Sequence, residues 1–353
     1  MLLDGIHVPL TTPFYPDGRL NLRKLEHNVD RYTRTPAAGM IALGANGEAS
    51  TLDDAETREA LGIAIGAAGA EKVMWAGVAR DGVAATLGLI EHAAGVGYDV
   101  ALVGLPGVLV GVGRSREAMT WFQAVADRSA LPLVLASEAG RPLSLDVMGE
   151  LAGHARVLGM VDGTGASGRI ASIREWTAGV KRTSTVTTIF AAVTGRMLAK
   201  TAAPAEGGAT YIGAESLQGG GTAVAVAAPV STPALKTRTR ETGFQVLGGT
   251  AAGMLEAFRA GALGAAPRLA ACAPQACYEV LAGWKDGDQG LAEEKQERLM
   301  AAAARIEEQM GVPGMKYACD LNGYFGGRPR LPYLPVDGEG RAEIEQLMRG
   351  MRN

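Results

Sequence analysis

Charge of either sign is scarce in this chain. Of 353 residues, 34 are Lys or Arg and 37 are Asp or Glu, which gives a net charge of −3 and a charged fraction of 20 %. No basic surplus exists to attract a polyanion, so neither nucleic acid nor a membrane surface is expected as a partner. Histidine and cysteine are scarcer still, with only His7, His27, His92 and His154, and Cys272, Cys277 and Cys319. Neither set has metal-ligand spacing, so no metal and no other cofactor is expected. The odd cysteine count reads as reduced, mostly buried thiols. Aromatics make up 5 %. Long apolar runs are missing too. The longest, "ALVGLPGVLVGV", is short and broken by glycine, and "MLLDGIHVPL" lacks a basic region followed by an apolar segment, so a cytoplasmic protein is expected.

What is present is apolar residues, 47 % of the chain, and 49 glycines, a composition suited to tight turns and close helix–strand packing. Short apolar runs alternate with stretches of helical period. Candidate strands are 6–10, 40–43, 73–78, 100–104, 133–136, 158–161, 244–247 and, more weakly, 262–266. Helices are expected over 53–68, where Thr51 and Asp54 have capping-box spacing, over 168–178, where Ile170, Ile173 and Trp176 are staggered, and over 291–309. Repeated βα units of this kind predict an α/β fold, a TIM (β/α)8 barrel with a C-terminal helical extension and an insertion.

The expected boundaries are 1–182 for six βα units, 183–242 for the insertion lobe, 243–285 for the last two units and 286–353 for the C-terminal helical region. By chain order the insertion leaves helix six and returns to strand seven, so its ends should emerge opposite the active face. That favours a stability or oligomer role over a substrate lid.

Reacting groups of such barrels sit at the C-terminal strand ends. After strand two comes "GANGE", residues 44–48, whose Ala45 and Asn46 amides can face an anion or simply close a turn. Asn46 can also donate from its side chain or cap the turn.

This stretch resembles the glycine–small–small–glycine–glutamate signature of the dihydrodipicolinate synthase and N-acetylneuraminate lyase family. Likewise "IHVPLTTPFYPDGRLN" resembles the family's first strand and loop, "LPLVLASEAGR" its fifth strand with the closing Gly140–Arg141, "FQVLGGTAAGMLEAFRAGALGA" its seventh and eighth units and "GMKYACDLNGYFGGRPRLPYLP" its C-terminal helices. The resemblance covers most of the chain except 183–242. It implies a dimeric or tetrameric homo-oligomer of class I aldolase type, in which a strand-six lysine forms a Schiff base with pyruvate or a related 2-keto acid. A strand-five tyrosine would relay protons, and the glycine turn would hold the keto acid's carboxylate.

Carried over residue by residue, the resemblance puts Val161 at the lysine position and Ala136 at the tyrosine position, with Gly107 and Val108 in place of a tyrosine pair. Lys72, Lys181, Lys200, Lys236 and Lys316 have no natural route to the pocket. Arg141 matches the pocket-mouth arginine and reads either as a carboxylate anchor or as a surface ion pair. Glu138, two residues beyond Ala136, should share its inward face. Desolvated there it would have a raised pKa suited to acid–base work; otherwise it turns outward or pairs with Arg141. Glu138, Asp162 and Glu48 could in principle gather a divalent cation, but Asp162 should face the opposite side. His7 reads as a packed core histidine.

Two functions of different classes follow. One is a divergent member of the family, a lyase by ancestry, binding a small keto-acid-like or carboxylate ligand without Schiff-base catalysis, with Glu138 as acid or base and Ala45, Asn46, Arg141, Ala136 and Val161 at the ligand. The other is a non-catalytic pseudoenzyme, a metabolite-binding or assembly subunit. Fold alone does not choose between them.

Overall fold

The computed structural model describes residues 1–110, 114–202 and 235–351. Its strands are β1 Gly5–Pro9, β2 Gly39–Ala42, β3 Val73–Gly77, β4 Val100–Gly104, β5 Leu133–Glu138, β6 Val157–Gly163, β7 Thr183–Thr187, β8 Thr237–Glu241, β9 Gln245–Gly248 and β10 Gly264–Ala265. Eight of them close a parallel barrel in the order β1-β10-β9-β6-β5-β4-β3-β2, and β7 pairs antiparallel with β8 outside it. The fold is thus a TIM barrel, with β9 and β10 as its seventh and eighth strands. The eighth is the shortest, and its Gly264 lets β1 come close, since a Cβ there would stand 2.2 Å from the Gly5 carbonyl oxygen.

Helices α1 Leu22–Thr33, α2 Asp54–Ala67, α3 Val83–Val96, α4 Ser115–Ala126, α5 Leu145–Ala152 and α6 Arg169–Trp176 follow the first six barrel strands. Then come α7 Gly195–Ala202, α8 Met254–Arg259, α9 Pro274–Lys285, α10 Gln289–Ala302, α11 Gly311–Leu321 and α12 Gly338–Met348. A π-helical stretch, Ala303–Met310, joins α10 to α11, so the amphipathic run expected as one helix over 291–309 is wound differently in its second half.

Two local expectations are corrected. The capping box of α2 is Asp53 with Glu56, not Thr51 with Asp54, because Thr51 closes a preceding 3-10 turn by donating to the Glu48 carbonyl. In α6, Ile173 is buried as expected, whereas Trp176 is 56 % exposed and lies over Gly149 of α5.

The core has two compartments. One lies between strands and helices and holds Ile6, Val8, Met40, Met74 and Met160. The other fills the barrel lumen with Leu3, Ile41, Val73, Trp75, Val100, Val134, Leu247 and Ala266. Alternation along each strand produces this division. His7 is fully buried with its ring 4.6 Å from that of Trp75, and burial lowers its pKa to about 4. Cys272, Cys277 and Cys319 are free and buried.

The described parts of the 183–242 segment sit against the barrel floor; residues 203–234 of that call lie outside the described residues. Ser184 donates to the Met1 carbonyl, and Thr194 to that of Ala70. Arg196 at the start of α7 donates to the carbonyls of Ala68, Gly69 and Lys72 and lies 3.5 Å from Asp99, just before β4. These anchors all lie at the N-terminal ends of the barrel strands.

Candidate functional site

At the opposite end the chain leaves β2 through a tight turn. Gly47 N–H donates to the Gly44 carbonyl at 2.9 Å, with Ala45 and Asn46 as the central residues. Leu43 and Glu48 flank the turn in the left-handed region, at φ 55 and 52. Two glycines make it possible. A Cβ on Gly47 would stand 2.4 Å from Leu43 Cα, and one on Gly77 of β3 would stand 2.1 Å from the Leu43 carbonyl oxygen. The backbone N–H groups of Ala45 and Asn46 meet no acceptor among the described residues.

The Asn46 side chain is committed elsewhere. It is fully buried, donates to the carbonyls of Pro9 (3.0 Å) and Arg268 (2.9 Å), and accepts from Arg268 Nε at 3.0 Å. Both amide hydrogens are therefore used, and of the two side-chain roles expected for Asn46 only the structural one remains. It ties the exits of β1, β2 and β10 together.

Across the mouth, Ala136 of β5 is in register with Val161 of β6, and Val161 with Leu247 of β9. Val161 packs on the apolar lumen cluster of Ile41, Trp75 and Leu247. Glu138 does not gain the apolar burial its acid–base role relied on. Its carboxylate pairs with Arg141 at 3.0 Å, and the two side chains are 46 % and 45 % exposed. Arg141 N–H also donates to the Glu138 carbonyl at 2.9 Å, so the two form one local bridge. Asp162 faces outward, buried against Arg169 at 2.9 Å and accepting from Thr164. Glu48, Glu138 and Asp162 thus have three separate sets of partners and are not gathered around one point.

Glu48 revealed a partner that its sequence neighbours gave no hint of. Lys316 of α11 reaches it at 2.5 Å, with both side chains fully buried. The ammonium also donates to the Arg328 carbonyl (2.9 Å) and lies 4.4 Å from the Phe14 ring centroid. The other Glu48 oxygen accepts from Arg330 N–H at 2.8 Å. Burial lowers the Lys316 pKa against the opposing pull of Glu48. The remaining lysines lie elsewhere. Lys72 donates to Thr35 and Ala37, Lys285 pairs with Asp4, Lys295 with Glu279, Lys24 lies over Phe325, and Lys181, Lys200 and Lys236 are exposed.

The exits of β9 and β10 are stapled from the C-terminal region in a similar way. The Glu307 carboxylate accepts from Ala251 N–H at 3.2 Å and from Leu269 N–H at 3.1 Å, and Gln296 of α10 accepts from Leu255 N–H and donates to Ala251 and Ala252. Burial pushes the Glu307 pKa up to about 7, against the opposing pull of these amides and of Arg268, with Cys272 and Cys277 close by. Between about 4.5 and 7 the folded chain keeps a proton that the unfolded chain releases, so rising pH favours unfolding. This group should remove about 3 kcal/mol of stability over that window. Urea unfolding at about pH 5 and about pH 8 checks it, since the loss should vanish in Glu307→Gln even though that variant is weaker throughout.

The geometry is that of a TIM barrel whose second strand leaves through a turn with two amides that meet no acceptor among the described residues, beside an apolar lumen. The profile of the "Dihydrodipicolinate synthetase family" matches residues 2–210 and 226–350, so this chain is a member of that family, a lyase by ancestry. A 4-hydroxy-tetrahydrodipicolinate synthase from Stenotrophomonas maltophilia is 31 % identical over 178 residues, which are 49 % of this chain and 59 % of that relative. One from Acidiphilium cryptum is 23 % identical over 99 % of both chains. In fold the chain is similar to YagE, a prophage protein of the dihydrodipicolinic acid synthase family from E. coli K12 solved in complex with pyruvate. That likeness has a TM-score of 0.76 at 20 % identity and covers 99 % of each chain. Among the described residues, no helix is long and apolar enough to cross a membrane.

Proposed function

We propose that this chain binds a small 2-keto acid or similar carboxylate at the C-terminal mouth of the barrel without forming a Schiff base. The Ala45 and Asn46 amides receive the carboxylate, Ala136 and Val161 supply the apolar wall, and Arg141 stands at the rim. The protein works in the cytoplasm as a homo-oligomer. The observation that carries this reading is the packing of Val161 into the lumen cluster, with the amine of every lysine placed elsewhere. A valine cannot attack a carbonyl carbon, and losing the covalent route costs on the order of 10⁴–10⁶ in rate.

Pyruvate is the natural first probe, because a structural neighbour was solved with it. Sodium borohydride added to the protein with pyruvate should leave its intact mass unchanged. A mass gain located on any lysine would overturn the proposal.

The pairing of Glu138 with Arg141 favours a second reading, a binding subunit without catalysis, because it occupies the one carboxylate proposed for acid–base work. Exchange of pyruvate methyl protons in D₂O separates the two. Exchange that depends on Glu138 supports residual catalysis, and binding without exchange supports the non-catalytic subunit.

A further inference from the structure

We infer that Arg268 is a binding residue of this site, its guanidinium gripping the carboxylate presented to the Ala45–Asn46 turn. The inference rests on the carboxylate-binding reading above and deepens it.

Arg268 follows the eighth barrel strand directly, and Asn46 holds it at both ends. Asn46 Nδ2 donates to the Arg268 carbonyl at 2.9 Å, and Arg268 Nε donates to Asn46 Oδ1 at 3.0 Å. This fixes the base and the neck of the side chain beside the turn. Its two terminal nitrogens meet no acceptor among the described residues, and the residue is only half-buried. Nη2 lies beside Gly311, 3.6 Å from where a Cβ would stand, which is ordinary contact distance.

Three other arginines of this face are taken. Arg141 is on Glu138, and Arg169 is on Asp162 and the Leu143 carbonyl. Arg80 spends its terminal nitrogens on Thr57 and the Ala79 carbonyl, with its Nε 3.6 Å from Asp54. The neighbouring acid, Glu307, feels the charge of Arg268, but no ion pair joins the two side chains among the described residues, and its oxygens accept from the amides of Ala251 and Leu269.

A ligand held without a covalent bond depends on charge and hydrogen bonds. Two backbone amides offer partial charge only, whereas a guanidinium fork matches a carboxylate in shape and sign. Because Asn46 fixes Nε in advance, less freedom is lost when the fork closes on an anion.

The test is pyruvate titration of the full chain by calorimetry, with Arg268→Gln, Arg268→Lys and, as a control outside the site, Arg34→Gln at the exposed Arg34–Asp30 pair compared with the parent. Arg268→Gln should weaken binding at least about tenfold, the loss of a charge-assisted hydrogen bond. Arg268→Lys should restore part of the affinity, because it keeps the charge without the fork. Arg34→Gln should change affinity less than about threefold, as for an exposed pair. A parent that binds neither pyruvate nor acetate defeats the carboxylate reading itself. A parent that binds, with Arg268→Gln binding equally well, defeats only the assignment of Arg268. Should the variants misfold, phenylglyoxal modification of the unmutated protein with peptide mapping decides. Pyruvate should shield Arg268 and leave Arg34 reactive, and an Arg268 that reacts equally with and without pyruvate overturns the inference.

Discussion

Lys316→Met is expected to lose about 3–5 kcal/mol of unfolding free energy, the range for removing one partner of a buried ion pair. The Glu48 carboxylate would be left with the Arg330 N–H as its remaining hydrogen bond, in a site from which its side chain cannot reach water. The cost comes mainly from that stranded charge rather than from the attraction lost, because burying two opposite charges together repays little more than their desolvation. The double variant Glu48→Gln with Lys316→Met should therefore recover most of the loss, since the amide oxygen still accepts from Arg330 and no charge stays buried. Urea unfolding of the parent, both single variants and the double variant forms a complete cycle. A Lys316→Met protein as stable as the parent would refute this account.

The second large effect concerns the lumen. Val161→Lys should convert a protein inert to borohydride trapping into one that gains a pyruvate-derived mass at residue 161. The introduced chain would emerge beside Ala136, which is small, and among Ile41, Trp75 and Leu247. That apolar setting disfavours the ammonium and leaves more of the amine free at neutral pH. The free amine attacks the keto carbon, water leaves, and hydride from borohydride reduces the resulting iminium. Some stability must be lost, because a charged or polar group enters an apolar cluster. Val161→Met controls for size and should stay unlabelled. If a folded Val161→Lys binds pyruvate yet traps nothing, the ligand does not lie over β6 and the proposed site is misplaced.

How much could be read beforehand depends on the range of the interaction. Strand positions follow from neighbouring apolar residues and glycines, so all eight barrel strands were legible to within a few residues, with the eighth much shorter than expected. The Gly44–Glu48 turn and the hydrocarbon character of Val161 were legible for the same local reason. The α2 cap was misjudged by two residues because Thr51 had a competing bond to the Glu48 carbonyl. The π-helical stretch was hidden because its side-chain pattern remains amphipathic while its backbone winding changes.

Partners remote in sequence were illegible. Nothing near Glu48 signals Lys316, and nothing near Asn46 signals Arg268, 222 positions away. Only closure of the barrel and docking of the C-terminal helices bring these groups together. The Glu138–Arg141 bridge was foreseen only as an alternative, since two flexible side chains three residues apart can meet or part without altering the strand.

The grip of Arg196 on the carbonyls of Ala68, Gly69 and Lys72 has an evolutionary corollary. Backbone oxygens are present whatever side chains a sequence carries, so a lobe moored to them can be gained, enlarged or traded with little demand on the rest of the chain. With the mooring at one pole and the Gly44–Glu48 turn at the other, each pole is free to drift under its own selection.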